Sequence, residues 1–440
     1  MPPSRSTPHV LVVAWGFPPS RASGVYRALA LCNALVEADA RVTVVTSDEE
    51  YFQLVTGTDD SLVSHIDPRV HVIRVPYQSR RLDPVIDHWS DQQVTDRKAF
   101  NDAEIARETS YFPERLYGPW RPALEDAVHR LHRTDPVDLV VATGNPYTSF
   151  AGAAHLHASF GVPFVLDDRD GWLLNVYTGE AREDLHVESW LEALTAACWE
   201  SWYVNPPIAQ WHQQYFAHLA DKIHVVENGW DRSLLDPDTT VRIADGPVKV
   251  GYIGTINAGF PLEMVLNSWR VARGHTVPLD AQLHLFGSLG YQRSLPHYER
   301  LLDEAAAVGV VVRGPWPKAR VAEAYAELDV LLFAKEGGQM ITSGKIYEYV
   351  ATGKPIVIAA DPTQDVRRVV ATYPRAFIAA DESPEAVASA FGQAVGASSR
   401  GSSTELDAAQ VVGAQWERSS VLSPEVSRLL ARLQRESQDA

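Results

Sequence analysis

The chain alternates short apolar runs with stretches of helical spacing. Residues 9–15 (HVLVVAW) are almost continuously apolar, the pattern of a strand buried on both faces within a parallel sheet. Comparable runs follow at 41–47, 70–75, 137–143, 162–167 and 222–227, with helical patterns between most of them, beginning at 24–38. A second set of strands is expected at 248–253, 282–286, 309–313, 329–334, 355–359 and 376–379, with helices at 261–273, 293–307, 318–327, 344–352 and 384–394. This rhythm predicts two consecutive α/β domains, each an open parallel sheet covered by helices, facing each other across a cleft. In such sheets ligands bind at the carboxyl ends of the strands.

Three segments interrupt the pattern. Residues 76–118 are polar and aromatic, carrying Tyr77, Trp89, Tyr111 and Tyr117, and read as an insertion of loops and short helices. The turn-rich stretch 228–247 reads as the link between domains, placing the first at 1–235 and the second at 236–405. Residues 396–408 look loop-like, and 409–436 read as a helix carrying Trp416, Val421, Leu429, Leu430 and Leu433. The segment 406–440 is therefore expected to pack back on the first domain.

Composition narrows the function classes. A chain of 440 residues that is 45% hydrophobic can build two substantial cores. Its formal charge of −17 repels phosphate backbones and argues against a general nucleic-acid binder. Cys32 and Cys198 lie in apolar, helix-like segments and read as buried free thiols. The opening MPPSRSTPH lacks an apolar core, and no run reaches the roughly 20 residues needed to span a bilayer. A cytoplasmic protein is expected. Peripheral membrane contact on part of the surface stays open, as does the oligomeric state.

Candidate chemistry sits at the strand ends. The loop after the first strand, Trp15-Gly16-Phe17-Pro18-Pro19-Ser20-Arg21-Ala22-Ser23-Gly24, enters a helix containing Arg27. A glycine at such a junction lets backbone amides approach an anion, and the helix dipole adds to the attraction. Arg21 and Arg27 are candidate phosphate or acceptor contacts. The GxGxxG dinucleotide fingerprint is missing, which argues against an NAD-dependent oxidoreductase. Asn145-Pro146 and Asp167-Asp168-Arg169-Asp170-Gly171-Trp172 follow two further strands. Carboxylates clustered with an arginine are too polar for a core unless paired, and suit either a ligand-facing role or a loop lock. No matching carboxylate or histidine motif accompanies them, so no metal site is expected.

In the second domain, Gly254 and Thr255 could approach a diphosphate, Gly287 could line the same pocket, and a nucleobase could lie against the loop at Arg313-Gly314. The most informative stretch runs from Glu336 to Tyr349 (EGGQMITSGKIYEY). Its Thr342, Ser343 and Gly344 lead into a helix bearing Lys345 and Glu348. Free amides of a first helical turn suit a diphosphate. Lys345 can neutralise it, and Glu348 can accept hydrogen bonds from both ribose hydroxyls or pair with Lys345 on the helix surface.

Taken together, FPP and SGVYR within 17–27, LDDRDGW at 166–172, ENGWD at 227–231, YIGT at 252–255 and SGKIYEYVATGKPIV at 343–357 resemble the retaining family-four glycosyltransferases. The resemblance covers most of the chain. It implies the GT-B fold, with two Rossmann-like domains and a C-terminal helix crossing back to the first. It implies transfer, without a cofactor, from a UDP- or GDP-linked sugar to a hydroxyl of a small-molecule or glycan acceptor. Glu348 would bind the donor ribose, Gly24 would border the donor phosphates or reacting sugar, and Arg169 and Asp170 would stand on the acceptor side. Two departures stand out. The glutamate common eight positions before Glu348 is Met340 here, and the Arg/Lys pair common after the donor domain's first strand is absent from Gly254–Phe260. A nitrogen or sugar-phosphate acceptor, or a catalytically weak nucleotide-sugar binder, remains an alternative.

Overall fold

A computed structural model describes residues 7–236, 246–257, 259–290, 296–316, 320–335, 340–360, 365–400 and 403–439. The chain divides into two compact units, one of Met1–Glu227 with Val421–Ala440 and one of Asn228–Ser420.

The first unit is built on β1 (His9–Ala14), β2 (Arg41–Thr46), β3 (His71–Arg74), β4 (Leu139–Gly144), β5 (Phe164–Asp168), β8 (Glu200–Tyr203) and β9 (Ile223–Val225). Between β5 and β8 lies a small antiparallel pair, β6 (Leu174–Asn175) and β7 (Glu180–Ala181). The large sheet has the order β3-β2-β1-β4-β5-β8-β9, and every pairing in it is parallel. Side-chain alternation divides the strands between two cores. Leu11, Val13, Val140, Ala142, Phe164 and Leu166 pack with Leu124, Val128, Phe150 and Leu156. Val10, Val12, Leu139, Val141 and Val165 pack on the other face, against Leu31 and Leu35 of the helix Val25–Glu37.

The same second core takes in Leu422, Val426, Leu429, Leu430 and Leu433 from the closing helix, Arg418–Asp439. Those positions recur at three- and four-residue intervals and form one apolar stripe. An ion pair with one buried partner, Glu200, pins this helix further. Arg428 Nη2 donates to Glu200 Oε2 at 2.6 Å, and Glu200 also accepts from the Trp202 indole at 2.9 Å. The return of the closing helix to the first unit agrees with the sequence.

Two expectations needed correction. Residues 76–118 hold more than short helices, because Arg97–Tyr111 forms 15 residues of continuous helix. Its buried face carries Phe100, Glu104 and Glu108, so carboxylates stand at the i+4 spacing where apolar residues would have announced a helix. Glu108 is enclosed by the Ser79 hydroxyl at 2.6 Å, Arg81 at 2.9 Å and the Leu116 amide at 2.9 Å. The stretch 396–408 is largely helical too, lying in Pro384–Arg400 and Ser403–Ala414. Its glycines and serines are weak helix formers, so they read as a loop. Elsewhere in the same two helices glycines allow close packing: a Cβ on Gly392 would sit 2.6 Å from Thr276 Cβ, and one on Gly413 2.7 Å from the Val350 carbonyl oxygen.

The second unit carries β10 (Lys249–Ile253), β11 (Gln282–Phe286), β12 (Val310–Gly314), β13 (Val330–Ala334), β14 (Ile356–Ala360) and β15 (Ala376–Ile378). They form a parallel sheet of order β12-β11-β10-β13-β14-β15. In each sheet the order reverses beside the first strand of the unit, at β1/β4 and at β10/β13. That is the switch point at which doubly wound sheets bind ligands.

Candidate functional site

In the second unit, glycines press three strand ends together. Gly254, Gly287 and Gly314 follow or end β10, β11 and β12 with φ of 151°, 138° and 70°, conformations that side chains rarely adopt. The Gly254 amide donates to the Phe286 carbonyl at 2.8 Å, and the Gly287 amide to the Gly314 carbonyl at 2.7 Å. A Cβ on Gly287 would lie 2.6 Å from the Gly254 carbonyl carbon.

The helix Gly344–Ala351 brings two charges to this place. Its N-cap, Ser343, makes no side-chain capping bond. Lys345 Nζ donates to the Tyr252 hydroxyl at 3.0 Å and stands 4.7 Å from that ring's centroid. A Cβ on Gly254 would collide with the Lys345 ammonium. One turn further, Glu348 Oε2 accepts from the Tyr325 hydroxyl at 2.6 Å.

Other sequence candidates are already engaged. The Thr342 hydroxyl donates to Asp365, which is also held by Arg368 at 2.8 Å. Arg313 pairs with Glu327 at 2.8 Å and stands 4.8 Å from the Phe286 ring centroid, so its guanidinium braces the sheet edge and its backbone borders Gly314. Thr255 offers its carbonyl to the Tyr252 hydroxyl at 3.2 Å. Met340 belongs to the described residues, whereas Glu336 lies outside them.

The first unit has its own pocket at the carboxyl ends of β1, β4 and β5. Trp15, Gly16, Ala22, Gly24, Thr143, Asn145, Pro146 and Arg169 line it. Arg169 donates through Nε to the Gly144 carbonyl at 2.9 Å and through Nη2 to the Asn145 carbonyl at 2.6 Å. Gly24 leaves the room this guanidinium fills, since a Cβ there would be 2.6 Å from Nη1. The structure thus brings Gly24 and Arg169 together. Asp170 beside them is exposed, with the Asn145 amide 3.4 Å from its carboxylate.

The remaining charges of this region are structural. Arg27 is 1% exposed, and its nitrogens are consumed by Asp167 at 2.7–2.9 Å and by the carbonyls of Val226 and Glu227 at 2.9 and 2.8 Å. Its sequence reading as a phosphate or acceptor contact is therefore replaced by a buried clamp. Asp168 accepts the amides of Asp170, Gly171 and Trp172, and burial pushes its carboxyl up to about 7. The sequence reading missed Glu114. It accepts the amides of Tyr147 and Thr148 and the Thr148 hydroxyl at 2.8–3.0 Å, and burial raises it to about 7 as well. Glu114 fixes the start of the helix Ser149–Phe160, and with it the Asn145–Pro146 wall of the pocket. Among the described residues, no three His, Cys, Asp or Glu side chains gather to hold a metal, and no helix is long and apolar enough to cross a membrane.

The two parallel sheets and the returning helix define a GT-B protein. Solved structures share this fold along nearly the whole chain. A sucrose-phosphate synthase from Thermosynechococcus elongatus is 15% identical, with a TM-score of 0.60 over 98% of this chain and 99% of that one. HepE from Anabaena, solved in complex with UDP, is 13% identical, with a TM-score of 0.61 over 97% and 100%. A glycosyltransferase from Rickettsia africae is 11% identical, with a TM-score of 0.60 over 99% and 100%. No curated protein sequence matches the chain. Residues 247–396, which carry Gly254, Lys345 and Glu348, match the family described as glycosyl transferases group 1. The chain has the GT-B fold, and its second unit carries the sequence pattern of that glycosyltransferase group.

Proposed function

We propose that the enzyme moves a glycosyl group from a nucleoside-diphosphate sugar to a hydroxyl of a small-molecule or glycan acceptor, with retention of anomeric configuration. One observation carries the reading: Lys345 is held beside Gly254, at the end of the first strand of the family-matched unit and on the first turn of a helix. As the sugar–phosphate bond breaks, negative charge grows on the departing diphosphate. The ammonium and the helix-terminal amides at Ser343–Gly344 stabilise that charge more in the transition state than in the ground state. The acceptor hydroxyl attacks from the face the diphosphate leaves, and a phosphate oxygen takes its proton. This route needs no protein base. Arg169, which lines the first unit's pocket with Gly24, and the exposed Asp170 beside it orient the acceptor.

Calorimetric titration with UDP, GDP, dTDP and ADP, with and without magnesium, tests the donor half. One clear preference names the base. The corresponding sugar nucleotides, incubated with acceptor panels and followed by NMR of the product's anomeric proton, then test transfer and retention. Absence of binding to all four nucleotides rejects the reading, and an inverted product rejects retention.

A further inference from the structure

Tyr325 lies in the helix Val321–Glu327 and is 1% exposed. Its ring meets Tyr349 edge-on at 5.8 Å and 85°, and its carbonyl is held by Lys354 Nζ at 2.7 Å. Phenol and backbone are thus both fixed before any ligand arrives. From this anchor the hydroxyl reaches across to the helix Gly344–Ala351 and donates to Glu348 Oε2 at 2.6 Å. Hydrogen bonds of hydroxyls to carboxylates at this length are short and charge-assisted. Burial, with the Glu348 charge adding to it, pushes the phenol well above its ordinary 10, so it remains a donor throughout the working pH range.

A glutamate on a helix surface samples several rotamers, and binding must select one of them at an entropic cost. A carboxylate already pinned through one oxygen meets that cost during folding, which strengthens later binding. The Tyr325 bond uses one lone pair of a carboxylate that offers about four acceptor positions.

We propose that Tyr325 is a positioning residue for the donor site: it locks the Glu348 carboxylate so that it accepts both hydroxyls of a ribose, and the pair thereby selects ribonucleoside over 2′-deoxyribonucleoside diphosphates. The proposal rests on the reading of Glu348 as the ribose ligand. A purely structural Tyr325 would satisfy its buried hydroxyl and affect folding, with no influence on sugar selection.

The test is calorimetric affinity of the full chain for UDP and 2′-deoxy-UDP, or for GDP and 2′-deoxy-GDP if guanine is preferred. It uses the wild type, Tyr325→Phe, Glu348→Ala and the double variant. Tyr325→Phe should weaken ribonucleotide binding roughly five- to tenfold and change 2′-deoxynucleotide binding less than about twofold, so the discrimination ratio collapses. The double variant should bind no more weakly than Glu348→Ala alone, because Tyr325 acts only through the carboxylate. Loss of discrimination in Glu348→Ala with a wild-type ratio in Tyr325→Phe overturns the positioning role and leaves Glu348 as ribose ligand. Unchanged discrimination in Glu348→Ala overturns the ribose reading itself, and the proposal with it. Additive losses in the double variant also overturn it. Should Tyr325→Phe fail to fold, Tyr325→Leu, which fills the buried space without a hydroxyl, takes its place. A wild-type ratio in that variant counts against the proposal.

Discussion

The Lys345 ammonium fills the space that a side chain on Gly254 would occupy. The glycine also holds a φ of 151°, so any substitution adds backbone strain to the collision. Gly254→Ala should therefore displace Lys345 and lower turnover by roughly tenfold or more, corresponding to about 1–3 kcal/mol of strain. Steady-state transfer rates, with circular dichroism to confirm folding, measure this. Wild-type rates would mean that the lysine position does not matter.

Lys345→Ala removes the charge and keeps the helix. A fall in kcat on the order of 100-fold is expected, with little change in melting temperature. Lys345 meets only part of its environment through Tyr252, so Tyr252→Phe, which keeps the ring and loses the 3.0 Å bond, should have a smaller effect. Equal turnover in the Lys345 variant rules out its leaving-group role.

The Arg27–Asp167 pair is buried on both sides, and removing one partner strands the other charge in the core. Arg27→Leu should cost about 3–5 kcal/mol of stability. Urea denaturation reads this directly, and a loss under about 1 kcal/mol would show that Asp167 finds another partner.

Asp168 and Glu114 are both raised to about 7 by burial. The folded chain therefore keeps protons that the unfolded chain releases near 4, so these groups favour folding most at low pH and lose that contribution as pH rises through 7. His212 and His284, both pushed down to about 4 chiefly by burial, and His9 and His132, also lowered, oppose them below their ordinary 6.5. The informative quantity is therefore the difference between wild type and Asp168→Asn from pH 8 to 6.5, where the Asp168 carboxyl contributes on the order of 1 kcal/mol on acidification. Thermal melts across this window should show the wild type gaining stability relative to Asp168→Asn as pH falls. A difference that stays constant from pH 8 to 6.5 would contradict the assignment.

The strands were readable wherever β-branched residues filled both faces, as in β1, β2 and β4. β8 escaped because its sequence is ESWY, with a glutamate whose burial depends on Arg428, 228 residues away. The helix Arg97–Tyr111 escaped for a related reason, its inward positions being carboxylates with distant partners. At the candidate site, local sequence singled out Gly254, Lys345 and Glu348, because a loop running into a helix is a short-range pattern. It could not show that Arg27 is spent on Asp167, that Glu114 steadies the Asn145 loop, or that Tyr325 grips Glu348 from 23 positions upstream. Those are products of folding, and no periodicity encodes them.

The apolar stripe from Leu422 to Leu433 completes a core whose other members come from the first 230 or so residues. During synthesis that core stays open while the whole second unit is made. The earlier unit in the sequence is thus the later one to finish, and a ribosome that stalls after the second sheet leaves a chain whose N-terminal half still shows an uncovered hydrophobic face to chaperones and proteases.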